Sequence, residues 1–186
     1  PDLIYLPERP FEEEAYLRDV ERLLQKKKGI VVVASEGLKN RAGRPIVEPI
    51  FTVGRATYFG DVGAHLANLV IKRLGYKARS EKPGLIGRAS ILLQSSIDRE
   101  EAIEAGRRAT QAVLAGETGK MVAFRRRSDS PYRAEPFLVE ISQEMMTERV
   151  VPDAYINAEG NGVTEVFKDW CRPLLGEELP EMISFN

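Results

Sequence analysis

The residues best suited to chemistry in this sequence are a carboxylate and a group of cations set among turn-forming glycines. They are Ser35-Glu36-Gly37, then Arg79 and Lys82, and, after Gly84-Leu85-Ile86-Gly87, Arg88. A carboxylate accepts hydrogen bonds from sugar hydroxyls, whereas arginine holds phosphate oxygens through a planar fork of charge-assisted donors. Glycines at 84 and 87 let the backbone approach a ligand closely. Together these groups suit a phosphorylated polyol. A plainer reading stands beside that one, with Glu36 a solvated loop carboxylate and Arg79, Lys82 and Arg88 a wet basic rim. Gly84-x-x-Gly87 matches neither a Walker loop nor a dinucleotide fingerprint, so no nucleotide site follows from it. Arg125-Arg126-Arg127 reads as an exposed strand end.

The remaining chemistry is narrowed by composition. His65 is the single histidine and Cys171 the single cysteine. No Ser/His/Asp or Cys/His catalytic group can be assembled from them, no internal disulfide can form, and a zinc site would have to rest on carboxylates. His65 reads as a core or boundary histidine. The 186 residues carry 27 basic and 28 acidic side chains and are 43% hydrophobic, which suits one packed domain or two small ones. A net charge of −1 argues against a broad nucleic-acid or anionic-membrane footprint. Apolar runs such as Ile30–Ala34 fall far short of the roughly 20 residues a membrane span needs. Pro1-Asp2 offers no basic leader region and Pro7 and Pro10 interrupt any apolar stretch, so the chain is expected to be cytoplasmic, a fragment whose start lies upstream.

The elements that must position these residues alternate between strand and helix. Leu3–Leu6 is an apolar run stopped by Pro7. A helix opens at Pro10 with Glu12, Glu13 and Glu14 in its first turn, presents Tyr16, Val20, Leu23 and Leu24 on one face, and closes at Lys26-Lys27-Lys28-Gly29. That lysine run reads as a solvated helix end. Ile30–Ala34 lacks alternation, which predicts a strand buried on both faces, and it delivers Glu36 to its carboxyl end. A hairpin is expected around Pro45–Val53, a helix from Asp61 to Gly75, and a strand over Tyr76–Ser80 that delivers Arg79. Asp98 with Glu101 has capping-box spacing before a helix that ends at Gly116. Strands are expected at Lys120–Phe124 and Phe137–Ile141, and helices near Ser142–Arg149 and Thr164–Cys171, the last stopped by Pro173. The pattern implies βαβ units and an α/β fold, a three-layer αβα sandwich with a mainly parallel sheet. Residues 1–140 are expected to form one α/β lobe and 141–186 a helical extension. Ligands of such sheets gather beyond the carboxyl ends of the strands, where Glu36 and Arg79 fall.

Several segments together resemble the second half of the phosphofructokinases: Pro1-Asp2-Leu3-Ile4-Tyr5-Leu6-Pro7-Glu8, Val31-Val32-Val33-Ala34-Ser35-Glu36-Gly37, Lys82-Pro83-Gly84-Leu85-Ile86-Gly87-Arg88, the helix from Asp98 to Gly116, and Gly119-Lys120-Met121-Val122. Tyr155-Ile156-Asn157 and Pro173-Leu174-Leu175-Gly176 resemble the pyrophosphate-dependent or mixed-donor branch. The resemblance implies phosphoryl transfer from ATP or pyrophosphate to the 1-hydroxyl of fructose 6-phosphate in glycolysis, with Mg2+. By motif position it implies that Glu36 contacts sugar hydroxyls, that Arg79 reaches the 6-phosphate across a subunit boundary, and that Arg88 contacts that phosphate within its own subunit. It places Lys27 near the position where allosteric members bind a nucleotide effector, and it implies a homodimer or homotetramer. Where many ATP-dependent members carry a histidine beside the substrate, this sequence has Leu85. Donor loops, metal ligands and the catalytic base belong to the family's upstream lobe, so no catalytic residue is expected here and the chain alone is expected to be inactive. The competing readings are a non-catalytic sugar- or nucleotide-binding regulatory module and a purely structural oligomerisation role.

Overall fold

The computed structural model describes residues 1–54, 56–85, 89–144 and 149–178; Arg88 lies outside them. The chain divides into two compact units, Pro1–Pro83 with Val151–Thr164 and Gly84–Val150 with Glu165–Asn186.

In the first unit, β1 (Leu3–Tyr5), α1 (Glu13–Leu24) and β2 (Val32–Ala34) form the expected βαβ turn. The strands run parallel, from Leu3 opposite Val32 to Tyr5 opposite Ala34. The helical spacing turns Tyr16, Leu17 and Val20 inward, and Glu13 and Glu14 sit at the positive end of the helix dipole. Further on, α2 (Val62–Leu74) buries Val62, Leu66 and Val70. Its first turn is capped by Asp61, whose side chain accepts the Ala64 N–H at 2.9 Å. It stops at Gly75, whose φ of 73° is a left-handed conformation that costs glycine little. One continuous apolar core joins these elements, with Leu38 reaching in from the loop after β2. Within it the Tyr5 ring meets Phe11 and Tyr16 edge-on, at centroid distances of 5.3 and 5.7 Å.

Three expectations for this unit need correction. The run Ile30–Ala34 is not buried on both faces: only Val32–Ala34 is strand, and Val31 and Val33 are exposed, because among the described residues the core packs against the side of Ile30, Val32 and Ala34 alone. Tyr76–Ser80 is not a strand. It has no ladder partner among the described residues, and Ala78 is its one apolar contribution to the core. The hairpin starts later than expected, as β3 (Pro49–Val53) and β4 (Ala56–Phe59), with Phe51 stacked on Tyr58 at 4.5 Å.

In the second unit, α3 (Ser96–Leu114) packs on the hairpin of β5 (Lys120–Asp129) and β6 (Tyr132–Glu140), whose register runs from Lys120 opposite Glu140 to Asp129 opposite Tyr132. Both strands are longer than expected, since the turn at Ser130-Pro131 lets the ladder continue through the arginine run. The helix cap is Ser95, which accepts the Asp98 N–H at 3.1 Å, rather than Asp98 itself. Two short helices, α4 (Ile141–Glu144) and α5 (Glu165–Cys171), complete the unit, and Pro173 falls in a single tight turn after α5. Residues 141–186 thus contribute to both units.

The class is α/β, as expected. Among the described residues, however, parallel pairing is confined to β1 and β2, and the other two pairs are antiparallel. The reason is connection length: α1 is long enough for a parallel crossover, whereas the short turns after β3 and β5 permit only an antiparallel return. No helix among the described residues is long and apolar enough to cross a membrane.

Candidate functional site

The carboxyl end of β2 shapes the first candidate residue. The Ser35 N–H donates to the Tyr5 carbonyl at 3.1 Å, holding the end of β2 against β1. Its hydroxyl then accepts the Gly37 N–H at 3.4 Å, which turns the chain just past the strand. Glu36 projects from this turn and its side chain is 86% exposed. The segment after α2 brings Lys82 to it, Nζ lying 3.9 Å from Glu36 Oε2. Both groups are solvated, so their attraction is screened and adds little to stability. The rim nevertheless presents an acceptor and a cation side by side, as a ligand with both hydroxyl and anionic oxygens requires.

The structure brings Glu36 and Lys82 together; it shows Arg79 on the same exposed segment after α2, three residues before Lys82. Gly84 has a φ of 55°, and Leu85, standing where the resemblance leads one to expect histidine, is 79% exposed. Lys27 is not a bare cation. Its ammonium pairs with Asp2, whose second oxygen accepts the Val31 N–H at 2.8 Å. The Lys27 hydrogen bond, and then the Val31 N–H, hold the Asp2 carboxyl below the usual carboxylate range. His65 is a boundary histidine on α2, with Nε2 3.1 Å from Glu13. Among the described residues, no group of three His, Cys, Asp or Glu could hold a metal ion.

Sequence reasoning missed the device that steadies the end of β1. Asn157 Oδ1 accepts the N–H groups of Asn161 and Gly162, both at 3.0 Å, and folds residues 157–162 into a tight loop. The Asn161 carbonyl accepts the Ile4 N–H at 2.9 Å, satisfying the edge of β1 away from β2. Its side-chain amide donates to Asp19 on α1 at 2.7 Å, and Asp19 also accepts from the Tyr5 hydroxyl at 3.1 Å and from Arg22 at 2.8 Å. Burial, and then the Asp19 charge, push the Tyr5 phenol above its ordinary range, and burial pushes Tyr16 up to about 12. The available signal was Asn157-x-x-x-Asn161 with two glycines, a pattern suited to side-chain-closed turns. Beside the loop lies a cavity of about 240 Å³ reached by Arg9, Glu12 and Arg41. Its cations are already paired, Arg9 with Asp153 at 2.6 Å and Arg41 with Glu12 at 2.7 Å.

With this geometry in place, the chain was compared with known proteins. No family model matches it. It is 33% identical over 183 residues to a pyrophosphate–fructose 6-phosphate 1-phosphotransferase of Methylococcus capsulatus, covering 96% of this chain and 43% of that protein. It is 31% identical over 186 residues to the protein of the same name in Xanthomonas campestris pv. campestris, covering 97% and 44%. Among solved structures, a pyrophosphate-dependent phosphofructokinase from Marinobacter aquaeolei superposes with a TM-score of 0.75 at 29% identity, covering 98% of this chain and 43% of that one. The chain spans less than half the length of the curated relatives it matches.

Proposed function

The chain belongs to the phosphofructokinase family, and from that premise we propose that it forms the sugar-phosphate-binding part of a 6-phosphofructokinase. The intact enzyme would move a phosphoryl group from pyrophosphate or ATP to the 1-hydroxyl of fructose 6-phosphate. The observation that carries this reading is the similarity, over 96–97% of the chain, to proteins named pyrophosphate–fructose 6-phosphate 1-phosphotransferase. The rim residues are compatible with it. Glu36 would accept hydrogen bonds from sugar hydroxyls, with Lys82 beside it. Arg88 would bind the 6-phosphate within its own subunit, and Arg79 would reach the phosphate in a neighbouring one, which requires a homodimer or homotetramer. Residues 1–140 would supply the sugar-binding lobe and 141–186 its extension.

Phosphoryl transfer is mainly positioning and charge neutralisation, so it needs a donor cradle, a metal and a base on the sugar hydroxyl. The rim described here supplies substrate contacts alone, and we assign the donor, Mg2+ and the base to polypeptide beyond these 186 residues. The isolated chain would then be inactive. A glycolytic, cytoplasmic setting follows from the same reading. Lys27 would serve an effector site only by giving up Asp2, which argues against that role.

The test is Arg88→Ala in the intact enzyme. Losing charge-assisted bonds to a phosphate should raise KM for fructose 6-phosphate roughly 10- to 100-fold. An unchanged KM would overturn the assignment. Tight binding of fructose 6-phosphate by the 186-residue chain alone, measured calorimetrically, would favour the regulatory-module reading instead.

A further inference from the structure

Residues 151–164 belong to the first unit and run along the stretch from β1 to Phe11. Four contacts tie them to it. The Asn161 carbonyl accepts the Ile4 N–H at 2.9 Å, and the Glu8 carboxylate accepts the Val151 N–H at 2.8 Å. Arg9 pairs with Asp153 at 2.6 Å, and Gly160 lies so near Arg9 that a Cβ there would stand 3.4 Å from its side chain. The same stretch also carries the turn that bears Glu36. The Tyr5 carbonyl accepts the Ser35 N–H at 3.1 Å, and the Phe11 N–H donates to the Lys39 carbonyl at 2.8 Å. Between those two bonds Gly37 rests on Pro7, a Cβ built at Gly37 falling 3.6 Å from the Pro7 ring. In a strand, the backbone groups of neighbouring residues point to opposite edges. Ile4 therefore bonds the 157–162 loop while Tyr5 bonds the end of β2, and a shift of one carries the other.

Glu36 gains little fixing from its own side chain, which is 86% exposed and faces Lys82 across a solvated 3.9 Å. Its position must come from the backbone. That backbone is held at two points by one residue. Asn161 bonds Ile4 through its carbonyl, and its side-chain amide bonds the Asp19 carboxylate that also accepts the Tyr5 hydroxyl. These side chains are half-buried, where such bonds are stiffer than in open water. We propose that Asn161, folded into place by Asn157, is a positioning residue for Glu36: through β1 it sets where that carboxylate meets the sugar hydroxyls. The inference rests on the reading of Glu36 as a sugar contact and deepens it. A carboxylate accepts a hydroxyl over roughly 2.5–3.0 Å, so a displacement of about 1 Å forfeits the bond.

The experiment is a double-mutant cycle in the intact enzyme, with Glu36→Ala, Asn161→Ala and the pair, reading kcat and the KM values for fructose 6-phosphate and for the phosphoryl donor. Glu36→Ala should raise KM for fructose 6-phosphate roughly 10- to 100-fold. Asn161→Ala should raise it roughly tenfold, with kcat and the donor KM little changed, and the pair should be no worse than Glu36→Ala alone. A merely structural role would instead lower the amount of active enzyme, and hence the apparent kcat, at an unchanged KM. Should circular dichroism show Asn161→Ala unfolded, Asn161→Ser takes its place, keeping a short polar side chain beside Asn157 while losing the bond to Asp19. If Glu36→Ala raises KM but the Asn161 variant does not, or if the two effects multiply, the positioning role is overturned and the sugar contact stands. If Glu36→Ala itself leaves KM unchanged, the sugar contact and the positioning role are overturned together.

Discussion

The two units are built with the same local devices and end in different states of closure. Each has a long helix started by a side-chain cap, Asp61 for α2 and Ser95 for α3. Each has a glycine of positive φ after that helix, Gly75 and Gly116. Each carries an antiparallel hairpin. Among the described residues only the first unit shows a buried cluster, in which β1, α1, α2 and Leu38 enclose the Tyr5, Phe11 and Tyr16 rings. Capping, turns and strand pairing are satisfied within a few residues, so they form wherever the right residues stand. Burial needs a second surface, and hydrophobic stabilisation follows the area removed from water. Secondary structure can thus be complete in a unit whose packing is not.

The largest expected effect sets a leucine from each unit side by side. Leu38 is 1% exposed, and Leu38→Ala should cost about 2–5 kcal/mol through lost transfer energy and the cavity left behind. Leu114→Ala removes the same atoms from open solvent and should stay within about 0.5 kcal/mol. Urea melts of the 186-residue chain followed by circular dichroism measure both. Equal costs would show that the second unit is closed in solution and would break the contrast.

What could be read from the amino acids divides along the same line. The helices α1, α2 and α3 were legible from periodicity, the glycine stops at Gly75 and Gly116 from residue type, β1 from an apolar run stopped by Pro7, and β2 from its β-branched run. Each is a local signal. The errors came where a distant partner decides the outcome. Ile30–Ala34 has the composition of a doubly covered strand, yet Val31 and Val33 are open because the described residues place nothing over them. Tyr76–Ser80 has adequate strand propensity and no neighbour to pair with. The ladder of β5 and β6 ran beyond expectation because cross-strand partners carried it through the arginines, Arg125 lying over Phe137 at 4.6 Å and Arg127 pairing with Glu135 at 2.5 Å. At the candidate site, strand logic placed Glu36 at the end of β2 and grouped it with Lys82, and the structure sets the two 3.9 Å apart although 45 residues intervene. The Asn157–Asn161 loop went unread for a related reason: its target, Asp19, lies 142 residues away from Asn161.

That loop sharpens the contrast at intermediate scale. Asp19→Ala would leave the Tyr5 hydroxyl and the Asn161 amide without their acceptor inside the first unit, an expected cost of about 1–3 kcal/mol. Nothing comparable should follow from Glu104→Ala on α3, whose carboxylate meets the solvated Arg107 at 3.6 Å. If both variants melt with the wild type, the Asp19 network is decorative and the first unit is held by packing alone.

Tyr5→Phe isolates one bond of that network, at an expected cost of about 1 kcal/mol near neutral pH. It also has a pH signature. A tyrosine is neutral when protonated, and Tyr5 and Tyr16 hold their protons more tightly folded than unfolded. Their contribution is therefore complete below the ordinary phenol value of 10.0 and is lost as pH rises above it toward the folded values. The first unit should unfold at alkaline pH with tyrosinate absorbance rising in the same transition, and Tyr5→Phe should move that transition upward. Tyrosinate appearing well before the loss of helical signal would contradict the burial of these rings.

The smallest contrast is the finest probe, because it compares one device in two settings. Asp61→Ala removes the acceptor for the Ala64 N–H, and its cost of about 1 kcal/mol should appear in the global melt, since α2 is part of the closed core. Ser95→Ala removes the equivalent acceptor for the Asp98 N–H, along with a 2.6 Å bond to the Leu174 carbonyl. Two bonds are lost rather than one, so a purely local count predicts the larger effect at Ser95. The opposite is expected: α3 buries Ala112 alone among the described residues, so the loss should appear only as faster exchange of the first α3 amides, with the urea midpoint unmoved. Should Ser95→Ala lower the midpoint as much as Asp61→Ala does, α3 unfolds in the same cooperative transition as α2, and the difference in burial between the two helices has no energetic consequence.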